Sequence, residues 1–188
     1  MTELRQIRDK DMSLTQLRNE GIVNSYHRLD VQQNPIKYSK KRDETVLIEG
    51  EFKGHTADKP HTLIRAVEVA EFSGVMKVEA GATIQGVTFK GDAVLAEVTG
   101  TMPAMFRDCT FIRNASTNLT TAFVTVASGA KATFSGCRFR SAEDTGVMQG
   151  AGNVVYNDAA NAATDVSVVA CVNETGWSHS NATVLGEV

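Results

Sequence analysis

The sequence predicts an all-β fold in which short parallel strands stack coil upon coil, a β-solenoid with an extended N-terminal arm. Three observations predict it: a short phrase that recurs, cysteines that occupy one slot of that phrase, and β-rich runs between its copies. The copies of the phrase begin at Ile84, Phe106, Phe134 and Val168. A phrase that returns every few tens of residues is typical of repeats that each stack on the one before. We therefore expect about four coils.

The phrase consists of an apolar residue, any residue, a small or turn-forming residue, Val or Cys, any residue, and usually Phe. Its copies are 22, 28 and 34 residues apart. Further β-rich runs lie between the copies, at 94–98, 123–126, 154–156 and 183–185. A constant phrase with growing intervals indicates core strands of one length, joined by loops that lengthen along the chain.

Alternation within the phrase predicts which side chains face the interior. Successive side chains of a strand point to opposite sides. The third position, which is Gly86, Asp108 or Gly136, interrupts this alternation and marks a bend. After the bend, the fourth and sixth positions point inwards together. The predicted core columns are therefore a small-residue ladder and an aromatic stack: Val87, Cys109, Cys137 and Cys171, with Phe89, Phe111 and Phe139.

The chain divides into an anchoring arm at 1–45, a transitional β segment at 46–74 and the solenoid at 75–188. The arm is polar and alternates poorly. A capping-box pattern at 13–16, followed by Gly21, predicts a short helix near 14–20. We expect the arm to dock on a partner through its apolar and basic residues: Leu4, Ile7, Leu14, Leu17, Lys40, Lys41 and Arg42.

Charge and cysteine content narrow the classes of function. The net charge of −3 disfavours bulk nucleic-acid binding. No run approaches the roughly 20 apolar residues of a membrane span. The three cysteines occupy equivalent repeat positions without metal-ligand spacing, which favours buried core residues over disulfides or a metal site. The polar N-terminus predicts no signal peptide, and hence production in a reducing cytoplasm.

The segment Ala132-Thr-Phe-Ser-Gly-Cys-Arg-Phe139 and its partner copies resemble the coils of the parallel β-helix family, of the right-handed kind. The resemblance covers about residues 75–175. It implies a short rod whose end coils expose strand edges and apolar side chains. Such ends require a cap or a partner, and a parallel homotrimer is one solution. A β-sandwich or jelly roll is the alternative fold.

Short β-helical segments of this kind resemble parts of phage tail spikes, fibres and head-decoration proteins. The resemblance implies a non-enzymatic virion protein, a trimeric head-decoration or head-fibre subunit that the arm anchors to the capsid, assembled in the host cytoplasm. A tail or baseplate fibre or adaptor protein is the alternative within this class. A carbohydrate-binding or carbohydrate-cleaving module that contacts surface glycans is a hypothesis from another class. Neither a nucleic acid nor a membrane is expected as a partner.

Glycoside cleavage requires two carboxylates about 5–10 Å apart. The candidates are Asp92, Asp108, Glu143, Asp144 and Asp158. Glu143 and Asp144 are neighbours, and neighbouring side chains of a strand point apart. Asp108 takes the bend slot and is expected as a turn residue. We predict no catalytic residue, no cofactor and no metal site.

The remaining candidates are histidines, a tryptophan and arginines. His55 and His61 flank Pro60, and we expect both in an exposed loop. Trp177 and His179 are candidates for a sugar-stacking surface, although Trp177 is expected to cap the last coil. Four arginines flank the phrase at outward positions and predict a basic stripe: Arg107, Arg113, Arg138 and Arg140.

Overall fold

The computed structural model describes residues 28–29, 45–114, 120–142 and 152–188. These residues form only strands, a 3-10 turn at Ala163–Asp165 and connecting segments, which confirms the all-β class. The strands are Arg28–Leu29 (β1), Thr45–Phe52 (β2), His55–Ala57 (β3), Leu63–Phe72 (β4), Met76–Val78 (β5), Thr83–Gln85 (β6), Thr88–Gly91 (β7), Ala96–Val98 (β8), Ala104–Arg107 (β9), Thr110–Arg113 (β10), Val124–Val126 (β11), Ala132–Ser135 (β12), Arg138–Ser141 (β13), Val155–Asn157 (β14), Val166–Val169 (β15), Val172–Asn173 (β16) and Thr183–Leu185 (β17).

The strands build three faces of a solenoid. Face A contains β4, β6, β9, β12, β15 and β17, and face B contains β4, β7, β10, β13 and β16. Face C contains β3, β5, β8, β11 and β14. All of these pairings are parallel, and each strand pairs with its equivalent in the next pass of the chain. One pass through faces A, B and C is one coil.

The described residues form six coils and begin a seventh, more than the four that the phrase predicts. The two additional coils at the N-terminal side are built by β2 to β5, so the segment 46–74 lies in the same sheets as the strands that follow it. Their phrases are distorted. Five residues, 66–70, stand in coil two where coil three has only two, Gly86 and Val87. This insertion removes the periodic signal.

The bend predicted at the third phrase position is confirmed. Gly86, Asp108, Gly136 and Ala170 all have a positive φ, between 49° and 69°. Their backbone N–H groups donate to carbonyls of the following coil, as in the 2.9 Å bond from Asp108 to Ser135. From the third to the sixth coil, the corner between faces A and B is therefore tied to the following coil, which holds these coils in register.

Like side chains stack on like side chains inside this frame. On face B, the rings of Phe52, Phe72, Phe89, Phe111 and Phe139 form one column, with successive centroids 4.8–5.7 Å apart. On face A, Phe106 stacks on Phe134 at 5.0 Å and meets Phe111 edge to face. The four small residues after the bend, Val87, Cys109, Cys137 and Cys171, are all buried. These columns fill the interior of the coils.

Most of the N-terminal arm lies outside the described residues, including the expected helix near 14–20 and the whole set of expected anchoring residues. Its one described piece is β1. This short strand pairs in parallel with β2, placing Arg28 opposite Leu47 and Leu29 opposite Ile48. The arm therefore meets the solenoid at the first coil.

Replacing Phe111 by Ala is expected to lower the free energy of unfolding by about 3–5 kcal/mol, because it empties the middle of the aromatic column. The neighbouring Thr110→Ala, on the outer side of β10, is the matched control and should stay within about 0.5 kcal/mol of the wild type. Urea denaturation followed by circular dichroism measures both. A loss below about 1 kcal/mol for Phe111→Ala would contradict a continuous column.

Candidate functional site

An open groove of about 410 Å³ lies on the outer side of face A. Because Ile64, Ile84 and Phe106 point inwards, the residues next to them in each strand point outwards. Register aligns these outward residues into a column that forms the groove floor: Leu63, Thr83, Met105 and Thr133. The floor thus crosses coils two to five and alternates apolar side chains with hydroxyls.

One side of the groove is built by the turns that lead into face A. The backbone N–H of His61 donates to the carbonyl of Gly81 at 2.8 Å, which ties two successive turns together. A Cβ at Gly81 would lie 2.7 Å from the carbonyl oxygen of Pro103. Only glycine therefore allows the turns of coils three and four to approach this closely.

The other side is a column of long polar side chains. Gln85 and Arg107 line the groove and pair in register on β6 and β9, and Arg65 continues the same column on β4, outside the groove lining. Both arginines are exposed. No Asp or Glu is among the described residues that line the groove. The groove therefore offers hydrogen-bond donors and positive charge, an environment that suits an anion.

The structure distributes the carboxylates considered for catalysis over different corners. Asp92 follows β7 between faces B and C, Asp108 turns the corner between A and B, and Asp158 follows β14 between C and A. Glu143 and Asp144 lie outside the described residues. The described candidates thus face different sides of the solenoid and form no acid–base pair.

Trp177 and the side chain of His179 are buried, so the candidate sugar-stacking surface is wrong, whereas the burial of Trp177 in the last complete coil agrees with the expected cap. Trp177 packs edge to face on Phe123 at 6.0 Å, and Gly152 lies directly against its ring. The Nε2 atom of His179 lies 2.7 Å from a carboxylate oxygen of Glu187. Both side chains complete the interior of the sixth coil, and neither is available to a ligand.

His61 is exposed, as expected, whereas the exposure expected for His55 is wrong. His55 begins β3, pairs with Met76 and is only 9 % exposed. Burial lowers the pKa of His55 to about 4, against the opposing effect of Asp58. The sequence suggested a loop because Pro60 is close, but β3 ends before it, at Ala57.

The predicted basic stripe is wrong, because Arg107 ends β9 on face A, whereas Arg138 and the half-buried Arg140 lie on β13 of face B. Arg107 and Arg138 are exposed, and Arg138 pairs with Glu174. Arg113, in contrast, is fully buried. Its guanidinium donates to the carbonyls of Asp92, Thr121 and Ala122 at 2.8–3.2 Å. It also lies 4.8 Å from the ring centre of Phe123.

Arg113 therefore holds together the backbone at the corner between faces B and C. Two of the carbonyls that it binds follow the segment 115–119, and the third belongs to the preceding coil. Burial lowers the pKa of Arg113, while the charge of Asp92 opposes that effect. The guanidinium satisfies several backbone acceptors at once, as its planar fork allows.

Burial and hydrogen bonds in the cysteine ladder disfavour a reactive thiolate. The Sγ atoms of Cys109 and Cys137 lie 3.4 Å from the carbonyl oxygens of Ile84 and Phe106, in the preceding coil. The hydrogen bond with Cys109 and burial raise the pKa of Cys137 to about 12. The hydrogen bond with Cys137 and burial raise that of Cys171 as well. Protonated, buried thiols are poor nucleophiles and poor metal ligands.

The groove residues of coil two escaped the sequence analysis. Gln85 and Arg107 occupy the second phrase position, so an outward column was readable there. Leu63 could not be predicted in the same way, because the insertion at 66–70 separates it from the rest of its phrase.

No family model, curated protein or solved structure matches the chain. In the part of the chain that the structure describes, no helix is long and apolar enough to cross a membrane. The same residues contain no group of three or more His, Cys, Asp or Glu side chains that would hold a metal ion.

Acid is expected to destabilise the protein through His55. Its folded pKa of about 4 lies below the ordinary 6.5. The unfolded chain therefore binds more protons between these values, and stability present above pH 6.5 is lost as the pH falls towards 4, by up to about 3 kcal/mol. His55→Gln should flatten this pH dependence of urea unfolding, whereas His61→Gln should leave it unchanged. Equal slopes in all three proteins would contradict the assignment.

Replacing Arg113 by Ala is expected to cost about 3 kcal/mol or more of unfolding free energy, because it leaves a cavity and buried carbonyls without their donor. Arg113→Lys, which keeps the charge but loses the fork, should fall between this variant and the wild type. Arg107→Ala is the exposed control, expected to change stability by less than about 0.5 kcal/mol. Thermal denaturation measures the stability of these variants, and equal losses of stability in Arg107→Ala and Arg113→Ala would contradict the prediction.

Proposed function

We propose that the chain is a non-enzymatic structural subunit of a virion, a homotrimeric head-decoration or head-fibre protein built on a short right-handed β-helix. The continuous core is the observation that carries this proposal. Aromatic and aliphatic columns fill the coils from Val46 to Val168. Such packing suits a rigid rod, whose chemistry lies on its outer faces.

Attachment is assigned to the N-terminal arm. The arm joins the rod at its first coil, through the pairing of β1 with β2. Residues 1–45 contain nine Lys and Arg against seven Asp and Glu, whereas the chain after Arg140 contains six acidic residues and no Lys or Arg. The mildly basic end therefore suits an acidic partner surface, such as a capsid.

Trimerisation is assigned to the side of the rod. The insertion in β4 carries Val67 and Val69 at the corner between faces A and B, and Val69 is 77 % exposed. A threefold axis parallel to the solenoid would bring this corner of three copies together. Contact between the copies would bury the valines, which favours association.

The full chain is expected to have a solution mass of about three times 20.3 kDa by light scattering. Reversing the basic run with Lys40→Glu, Lys41→Glu and Arg42→Glu should leave that mass unchanged. The same variant should no longer co-sediment with capsids assembled without this chain, because charge attraction becomes repulsion.

A charge-matched control reverses three basic residues of the rod instead, Arg107, Lys131 and Arg138, and should keep capsid binding. A wild-type mass of one chain would overturn the trimer. Unchanged co-sedimentation of the arm variant would overturn the anchoring role of the basic run.

A further inference from the structure

Coil seven places an acidic residue in a phrase position that is apolar in the coils before it. Gly186 makes the bend of this coil, with a φ of 64°, and the backbone N–H of Val188 donates to the carbonyl of Cys171 at 3.0 Å. Glu187 lies between them and therefore occupies the fourth phrase position. The earlier coils fill this position with small buried side chains: Val87, Cys109, Cys137 and Cys171. A carboxylate thus lies over the thiol ladder.

A buried histidine holds this carboxylate. The Nε2 atom of His179 lies 2.7 Å from Glu187, and its ring lies 5.8 Å from that of Phe139. The side chain of His179 is only 3 % exposed, and that of Glu187 is 17 % exposed. In coil six, Asn173 pairs in register with Phe139 and so takes the next position of the aromatic column. The apolar columns of the core therefore give way to polar side chains between coils six and seven.

Exposed apolar side chains surround this polar pair. Val184 continues the inner column of Val168 and is 41 % exposed, and Leu185 and Val188 are more exposed still. Among the described residues, β17 pairs on one side only, with β15. A strand edge that is open and carries apolar side chains favours pairing with another strand edge. Coil seven therefore presents a surface on which a further layer of strands could stack.

The carboxylate of Glu187 opposes such stacking. A layer of strands laid over coil seven, from whatever chain it came, would cover the part of this side chain that is still exposed. Covering a carboxylate removes its water, and the single contact with His179 satisfies only one of its roughly four acceptor positions. The Val or Cys that earlier coils carry at the same position would cause no such loss.

We propose that the pair of His179 and Glu187 blocks the association of copies of this chain along the solenoid axis through β17. Glu187 supplies the carboxylate that disfavours a covering layer of strands. His179 is a positioning residue, because its hydrogen bond keeps the carboxylate over the thiol ladder. The block acts along the axis, whereas the proposed trimer contact lies on the side of the rod, so the two assignments are independent.

Light scattering of the full chain over a range of concentrations tests the block. The double variant His179→Phe, Glu187→Val makes the pair apolar, and its mean mass should rise with concentration to at least about twice that of the wild type. Glu187→Gln, which removes the charge but keeps the size, should associate to an intermediate extent. The matched control is Lys77→Phe, Glu97→Val, which makes the same exchange at an ion pair on the outer side of face C and should keep the wild-type mass.

Thermal denaturation of the same proteins tests the pairing itself. His179→Phe or Glu187→Val alone leaves one buried polar group without its partner and should lower the melting temperature by about 5 °C or more, whereas the double variant should lose less than either. Additive losses would overturn the positioning role of His179. A wild-type mass in both the double variant and Glu187→Gln, or equal association of the control, would overturn the block. Because each mass is compared with that of the wild type, the result does not depend on whether the wild type is a trimer.

Discussion

Each coil after the second turns from face A to face B through a residue with a left-handed backbone, and its amide is bonded to the coil above. This corner holds successive coils in register. Register then stacks equivalent positions on one another throughout the molecule. Inside, it aligns phenylalanines with phenylalanines and thiols with thiols. Outside, the same constraint aligns Arg65, Gln85 and Arg107. The core and the groove are two consequences of one geometric rule.

The coils differ in length mainly in the connections between faces, where added residues do not change the register of the strands. The connection from face B to face C lengthens from 92–95 in coil three to 114–123 in coil four and 142–154 in coil five. These additions leave the strands in place and account for most of the growing intervals between phrases. At the start of the longer connection in coil four, Arg113 donates hydrogen bonds to the carbonyls of Asp92 and Ala122 and so links the two sides of the corner. A buried charge is tolerated there because several backbone acceptors surround it.

A polar network serves a similar purpose at the corner between faces C and A. Asn157 and Asn181 occupy the same slot of successive coils, next to the pairing of Tyr156 with Ser180. The amide of Asn157 donates to the carbonyls of Ala162 and Asn181. Such contacts fix the turns between successive coils. The interior columns maintain the shape of the solenoid, and the same register sets the order of the exposed side chains.

The sequence by itself determined the all-β class, the stacking of coils, the bend and the inward columns, because alternation and a recurring phrase are local signals. Tertiary structure alone decided the number of coils, since the insertion at 66–70 hides the second coil from any periodic pattern. It also decided the burial of His55 and Arg113, which depends on neighbours distant in the chain. The groove likewise depends on residues that are distant from one another in the chain. Its floor of Leu63, Thr83, Met105 and Thr133 exists only once parallel pairing has placed four separate strands in one register.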